Sequence, residues 1–317
     1  MCYIFFMENK SSRNKTIDFS EEEGALYLND CIFEKDLPSK SIRLEDSIIC
    51  GDTFSLLGRF EKEQFPLIIA DPPYNISKQY NSSRFAATSN SKYKEYTKSW
   101  LDLTLPLLKK DGTMYICVDW KSSIILGEVL SEYEEQGIIT IRNRITWERE
   151  KGRGAKANWK NCHEDIWYIT KGENYIFNIN AVKIRRKVIA PYKENGQPKD
   201  WTDGKEGKYR DTCPSNFWND ITVPFWSMAE NTAHPTQKPE KLLAKLILCS
   251  SNEGDLIFDP FGGSGSTAVT ACKLGRHWCT IEKEKRFCAW ALYRLQKAKE
   301  DKTIQGYEDG VFHQRNQ

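Results

Sequence analysis

From residue 47 onward short apolar runs alternate with amphipathic stretches, and this alternation restricts the fold more than any other feature of the chain. Strand signals stand at Ser47–Cys50, Leu67–Ala70, Thr113–Val118, Ile138–Trp147 and Ile166–Thr170. Helical patterns occupy intervals between them, at Tyr93–Leu108 and Ser122–Gln136. Later the pattern resumes. A helix is expected over Pro239–Ser250, a strand over Asp255–Asp259, a helix over Ser264–Leu274, a strand over Trp278–Glu282 and a long helix over Lys283–Lys299. Short apolar strands interleaved with helices predict an α/β domain whose mixed, mostly parallel sheet is covered on both faces.

Residues 171–233 interrupt the pattern. Gly, Asn, Pro, Lys and Asp dominate there, with isolated aromatics at Tyr192, Trp201, Tyr209, Phe217, Trp218, Phe225 and Trp226. No clear period survives, which reads as an inserted, loop-rich unit. It divides the α/β domain into a first half, 46–170, and a second half, 234–300. Residues 1–45 form a charge-mixed extension over the core, and the polar tail, 301–317, is expected to fray. Trp290 and Tyr293 fit the buried stripe of the last helix.

A chain of 317 residues with 39% hydrophobic and 28% charged content has room for a full α/β core and one extra unit. Its net charge is only +2, so a nucleic-acid partner would need a local basic surface. The ten cysteines include no Cys-x-x-Cys pair, and Cys50, Cys117, Cys249, Cys272 and Cys279 sit in apolar segments. That pattern predicts buried, reduced thiols in a cytoplasmic protein and no metal site. No run approaches 18 apolar residues, and the start is too short for a signal-peptide core, so no membrane partner is expected.

The apolar run Pro66–Ala70 ends in Asp71-Pro72-Pro73-Tyr74. This places a carboxylate, a rigid turn and an aromatic ring at the carboxyl end of a buried strand, the edge where open α/β sheets bind ligands. Two prolines fix φ and present carbonyls without competing donors. An exocyclic amine could donate to Asp71 and a proline carbonyl while its ring stacks on Tyr74, geometry suited to a flipped-out adenine or cytosine. Asp-Pro is also ordinary turn chemistry.

A second constellation, Leu256–Thr267, reads as a strand, a Gly-rich turn and a helix start. Its glycines let backbone N–H groups approach a ligand, and Ser264, Ser266 or Thr267 can cap the helix. Glu282 follows Gly263 by 19 residues at the end of the next strand. That is the offset of the carboxylate that binds ribose hydroxyls in nucleotide-binding folds. Gly262-Gly263-Ser264-Gly265 lacks the dinucleotide spacing and carries no Gly-Lys-Ser/Thr. The expected ligand is an adenosine without a pyrophosphate, and S-adenosylmethionine fits.

With these residues the sequence resembles the amino-directed DNA methyltransferases over roughly residues 46–298. Asp71-Pro72-Pro73-Tyr74 is similar to their catalytic motif, and Asp259-Pro260-Phe261-x-Gly263-Ser264-Gly265 to their cofactor motif. The catalytic motif comes first, an order that resembles the circularly permuted β class, whose members mostly methylate adenine N6 and less often cytosine N4. The resemblance implies a Rossmann-like methyltransferase fold with an inserted target-recognition region. His234-Pro235-Thr236-Gln237-Lys238-Pro239 resembles the segment that holds the methionine part of the cofactor, with His234, Thr236 and a carboxylate-binding Lys238. Cys50-Gly51-Asp52 resembles the contact to the cofactor adenine, although Asp52 also suits the cap of a Thr53–Leu57 helix. Phe261 and Ser266 complete the cofactor residues, Ser266 standing where the family usually has Thr. The long irregular region and residues 1–45 also depart from the family pattern.

Residues 142–160 carry net +5, with Trp147, Trp159, Gly152 and Gly154 interspersed. A basic, glycine-loosened loop with aromatics beside the catalytic edge suits phosphate contacts and closure over a displaced base; Arg149, Lys151, Arg153 and Lys156 are its candidate DNA contacts. Residues 183–210 also carry net +5, with Arg185 and Arg186 as candidates in the inserted unit. Trp201, Asn219 and Gln197 are open choices for base-edge contacts.

The reading is a site-specific DNA adenine-N6 methyltransferase acting on duplex DNA. Cytosine N4 is the nearest rival, RNA methylation a third, and a catalytically silent DNA-binding subunit a fourth from another class. A cytosine-C5 route is disfavoured because the chain has no Pro-Cys dipeptide. A homodimer and a cognate restriction endonuclease are further partners that the sequence leaves open.

Overall fold

A computed structural model describes residues 11–37, 44–80, 83–149, 156–189, 192–204 and 207–315. Lys151 and Arg153, two of the expected DNA contacts, lie outside these residues.

Nine strands form the main sheet: β1 (Ile32–Phe33), β2 (Ser47–Cys50), β3 (Phe65–Ala70), β4 (Leu108–Asp119), β5 (Thr140–Glu148), β6 (His163–Thr170), β7 (Phe217–Trp218), β8 (Leu256–Asp259) and β9 (His277–Glu282). Their order is β1-β2-β9-β8-β3-β4-β6-β5-β7. β6 runs antiparallel to β4 and β5, and the other pairings are parallel. The sheet is mixed and mostly parallel, as the sequence pattern implied.

Among the described residues six helices cover it: α1 (Thr53–Leu57), α2 (Asn90–Thr104), α3 (Trp120–Glu135), α4 (Glu240–Ser250), α5 (Ser266–Lys273) and α6 (Lys285–Glu300). The alternating directions of β3 side chains divide the core. Leu67 and Ile69 pack among residues of α4, α5 and α6, whereas Ile68 and Ala70 pack among residues of α1, α2 and α3. Both faces are therefore buried, which is why β3 is continuously apolar. The expected helix over Tyr93–Leu108 instead starts at Asn90, capped by Ser89, and stops at Thr104. Pro106 lies in a 3-10 turn over Leu105–Leu107, and Leu108 already belongs to β4.

Two expectations fail outside the core. The loop-rich unit does contain strands: Ile184–Lys187 pairs antiparallel with Gly207–Thr212, which pairs with Thr202–Gly204. Nor does the tail fray. Val311–His313 pairs with Ile184 and Arg185, and Tyr307–Glu308 completes a five-stranded second sheet. Phe312 is fully buried in a cluster with Val182, Ile184, Ala244 and Leu248. One side chain in a polar stretch thus anchors the tail.

The described part of the extension packs on the core. Phe19 meets Trp290 and Tyr293 edge-on, its carbonyl accepts from the Trp290 indole at 3.1 Å, and Arg286 pairs with Asp18 at 2.6 Å. Trp290 is buried as expected, while Tyr293 is half-buried beneath Phe19 and Tyr27. Of the five cysteines expected to be buried, Cys50, Cys117, Cys249 and Cys279 are; Cys272 is half-buried. Among the described residues no helix is long and apolar enough to cross a membrane.

Candidate active site

The carboxyl ends of β2, β3, β8 and β9 open into one cleft of ≈330 Å³. Asp71, Pro72, Pro73 and Tyr74 line it, together with Asp52, His234, Thr236, Lys238, Asp259, Phe261, Gly263, Ser264, Ser266 and Glu282. Two motifs almost 190 positions apart in sequence meet there because β8 pairs directly with β3.

The Gly-rich turn is held by side chains that the strands deliver. Asp259 accepts from the Phe261 amide at 2.9 Å and from the Thr267 hydroxyl at 2.5 Å. Burial pushes its carboxyl up to about 7. Gly263 takes φ +51°, and a Cβ there would come within 3.1 Å of the His234 ring. Gly265 does not line the cleft. At φ +75° it is the cap of α5, and a Cβ would lie 2.4 Å from that of Ala291. A glycine there permits the close packing of α5 on α6. No serine or threonine side chain caps α5 either.

Glu282 is half-buried at the end of β9, where its carboxylate accepts from the Gly263 and Glu284 amides, each at 2.7 Å. Burial raises it to about 8 despite those donors. Across the cleft mouth Asp52 caps α1 through the Phe54 amide at 2.9 Å and pairs with Lys283 at 3.0 Å. The capping role is therefore real, and the carboxylate still faces the cleft.

At the other end the Tyr74 hydroxyl donates to Asp71 Oδ1 at 2.7 Å, and Lys238 Nζ donates to Asp71 Oδ2 at 2.6 Å. The Tyr93 hydroxyl donates to the Pro73 carbonyl at 3.1 Å. Lys238 also lies 3.0 Å from the Tyr74 hydroxyl and 3.4 Å from Glu164 Oε2. In this structure Lys238 is thus the partner of two protein carboxylates, where a cofactor carboxylate had been expected. Burial raises the Asp71 pKa against the opposing pull of Lys238. For Lys238, burial acts to lower the pKa, but Asp71 and Glu164 outweigh it and keep the ammonium charged.

Sequence reasoning missed two residues. Glu164, 3% exposed at the start of β6, is bound by Lys238 and Arg149, which together lower its pKa against burial. A lone acid ahead of an expected strand gives little signal. Arg294 on α6 donates to the Ser264 carbonyl at 2.8 Å, the Ser266 hydroxyl at 3.0 Å and Glu240 at 3.0 Å. Its signal was a charge within the apolar run Ala289–Leu295.

The described candidate DNA contacts are scattered. Arg149 is ion-paired to Glu164 beside the cleft. Arg185 makes a two-pronged bond to Asp211, at 2.9 and 2.8 Å, and lies over the Tyr209 ring. Arg186 donates to Thr212 at 3.1 Å, and Lys156 is exposed. Trp201, open as a base-edge contact, is buried with its indole on the Tyr192 carbonyl.

A carboxylate at the end of β3 and a glycine-lined, carboxylate-flanked turn after β8 thus share one cleft at the carboxyl edge of the sheet. The DNA methylase family profile matches residues 65–293, and the chain belongs to that family. It is 30% identical to the type II methyltransferase M.HpaI of Haemophilus parainfluenzae, over 80% of this chain and 74% of that one. To the DNA adenine methyltransferase YhdJ of Escherichia coli K12 it is 32% identical, over 80% and 83%. Among solved structures, the M1.HpyAVI–SAM complex superposes with a TM-score of 0.52 at 21% identity, covering 78% of this chain and 98% of that one. The PvuII cytosine-N4 DNA methyltransferase gives 0.56 at 18%, covering 83% and 93%. The protein is a DNA methyltransferase of the N6-adenine or N4-cytosine group, and S-adenosylmethionine is its cofactor.

Proposed function

We propose that the chain is a β-class enzyme that methylates N6 of an adenine flipped out of duplex DNA. The observation that carries this reading is Asp71: a carboxylate held by Tyr74 and Lys238, one-fifth exposed, facing the cleft that the Gly262–Ser264 turn lines. Residues 46–170 supply the catalytic half and 234–300 the cofactor half, in the permuted order. The inserted unit, 171–233, faces the DNA as the recognition region.

The cleft residues fit the cofactor. Gly263 leaves backbone room beside His234, and the Glu282 carboxylate faces the space a ribose would fill. Bound S-adenosylmethionine supplies an electrophilic methyl on a sulfonium. Asp71 and the Pro72 carbonyl accept hydrogen bonds from the target amine, and Tyr74 supports its ring. These acceptors localise the nitrogen lone pair and aim it at the methyl. Transfer of that methyl would leave a surplus proton on the amine nitrogen, and Asp71, whose proton affinity burial raises, would take it.

The same acceptors suit cytosine N4, and the shared fold does not separate the two. The likeness to a named adenine methyltransferase favours adenine. Acid hydrolysis and nucleobase analysis of methylated mixed-sequence DNA test this. N6-methyladenine is the expected product; N4-methylcytosine would transfer the mechanism to the rival base.

A further inference from the structure

Lys238 stands where the substrate must go. Its ammonium takes one Asp71 oxygen at 2.6 Å and lies 5.4 Å from the Tyr74 ring centre, covering both the acceptor and the stacking surface. A base that displaced it without a second anion nearby would strand a buried cation, which is costly. Glu164 supplies that anion 3.4 Å away, and Lys238 is 7% exposed.

Resting on the reading of Asp71 as the amine acceptor, we propose that Lys238 is a stand-in for the target amine and that Glu164 is the carboxylate onto which its ammonium withdraws when the base enters. Both are positioning residues. Before the base arrives Lys238 keeps Asp71 ionised and oriented. As the amine attacks it becomes cationic, and an ammonium still on Asp71 would repel it. Withdrawal leaves Asp71 uncompensated beside the new positive charge. Glu164 meanwhile holds two cations, Lys238 and Arg149. Four charges, two of each sign, thus serve two arrangements of the site with one short movement.

The groups around Lys238 come from every packed element: Asp71 and Tyr74 after β3, Cys117 on β4, Arg149 after β5, Glu164 on β6 and Asp259 on β8. Of these, Glu164 opposes ionisation of Asp71 and Lys238 favours it. Removing the charge of Glu164 and removing that of Lys238 should therefore move the acid limb of the rate in opposite directions.

The test is single-turnover transfer of labelled methyl to mixed-sequence DNA at saturating cofactor, across pH. Glu164→Gln should lower the maximal rate about tenfold or more and move the acid limb about one unit down. Lys238→Met should move it about one unit up. Combining the two should recover most of the rate that Glu164→Gln loses, because no ammonium remains to be relocated. A wild-type rate in Glu164→Gln, an unmoved limb in Lys238→Met, or losses that simply add would each overturn the proposal. Should Glu164→Gln not fold, the Lys238→Met limb decides alone. Asp71→Ala in the same series separates the two levels: normal transfer there refutes the acceptor role itself, whereas inactivity with unmoved limbs refutes only the exchange.

Discussion

Replacing Glu282 by Ala removes a half-buried carboxylate that lines the cleft where the ribose is expected. Its oxygens accept from the Gly263 and Glu284 amides, so the substitution also frees two donors at the cleft wall, where water can meet them. Losing a charge-assisted hydrogen bond costs about 1.5–3 kcal/mol, or a ten- to hundredfold rise in the cofactor dissociation constant. The pH dependence is sharper. With Glu282 at about 8, most of the free protein carries a proton there at pH 7. Ribose hydroxyls donate to the ionised form, so binding expels that proton. Cofactor affinity should therefore tighten about tenfold between pH 7 and pH 9 through this group. Stability moves the other way. The native state keeps a proton that the unfolded chain loses near pH 4.5, so the Glu282 contribution falls as pH rises from there to about 8. Calorimetric titration of both proteins at the two pH values isolates the group, since titration of the ligand itself is common to both. Equal affinities, or equal pH dependence, would show that the ribose does not sit on Glu282.

Two other predictions concern DNA and the tail. Lys151, Arg153 and Lys156, replaced together by Ala, should reduce the slope of log affinity against log salt by about 2.7, at roughly 0.9 per phosphate contact. Arg149 is left out because it is committed to Glu164; an unchanged slope would remove the loop from the DNA interface. Phe312→Ala should cost about 3–5 kcal/mol in urea unfolding, as for a buried Phe lost from a core. A change within a few tenths would mean that the tail is not part of the cooperative unit.

The sheet was legible wherever strands are buried on both faces, because β3, β4 and β8 then read as unbroken apolar runs bounded by turns. The start of β4 was not, since Leu108-Lys109-Lys110-Asp111-Gly112 has the composition of a turn, and only Leu108 pairs there, opposite Phe65, before an irregularity brings Thr113 opposite Leu67. The tail strand escaped notice for a related reason: three residues carry no period, and burial of Phe312 depends on a partner strand more than a hundred residues earlier. That Asp71, Tyr74 and Glu282 would line one cleft was readable from strand ends and spacing. The packing need at Gly265 was not legible, because a glycine needed against a helix looks the same in sequence as one needed against a ligand. Arg149 and Lys238 were legible as charges but not as partners. Which carboxylate an ammonium reaches is settled by tertiary packing, and the sequence offered no reason to bring Glu164 to them.

In the proposed mechanism, methyl transfer depends most on Asp71 as the acceptor for the target amine. The direct measurement is single-turnover methyl transfer to mixed-sequence DNA by the Asp71→Ala protein, with cofactor affinity measured in the same preparation. Removing an acceptor from a water-excluded site should cost at least about 2.7–4 kcal/mol of transition-state stabilisation, a hundred- to thousandfold loss in rate. Cofactor binding should stay near normal, because the Gly262–Ser264 turn and Glu282 are intact. Transfer at a rate near that of the unaltered protein would contradict the assignment of Asp71 and the amine mechanism built on it.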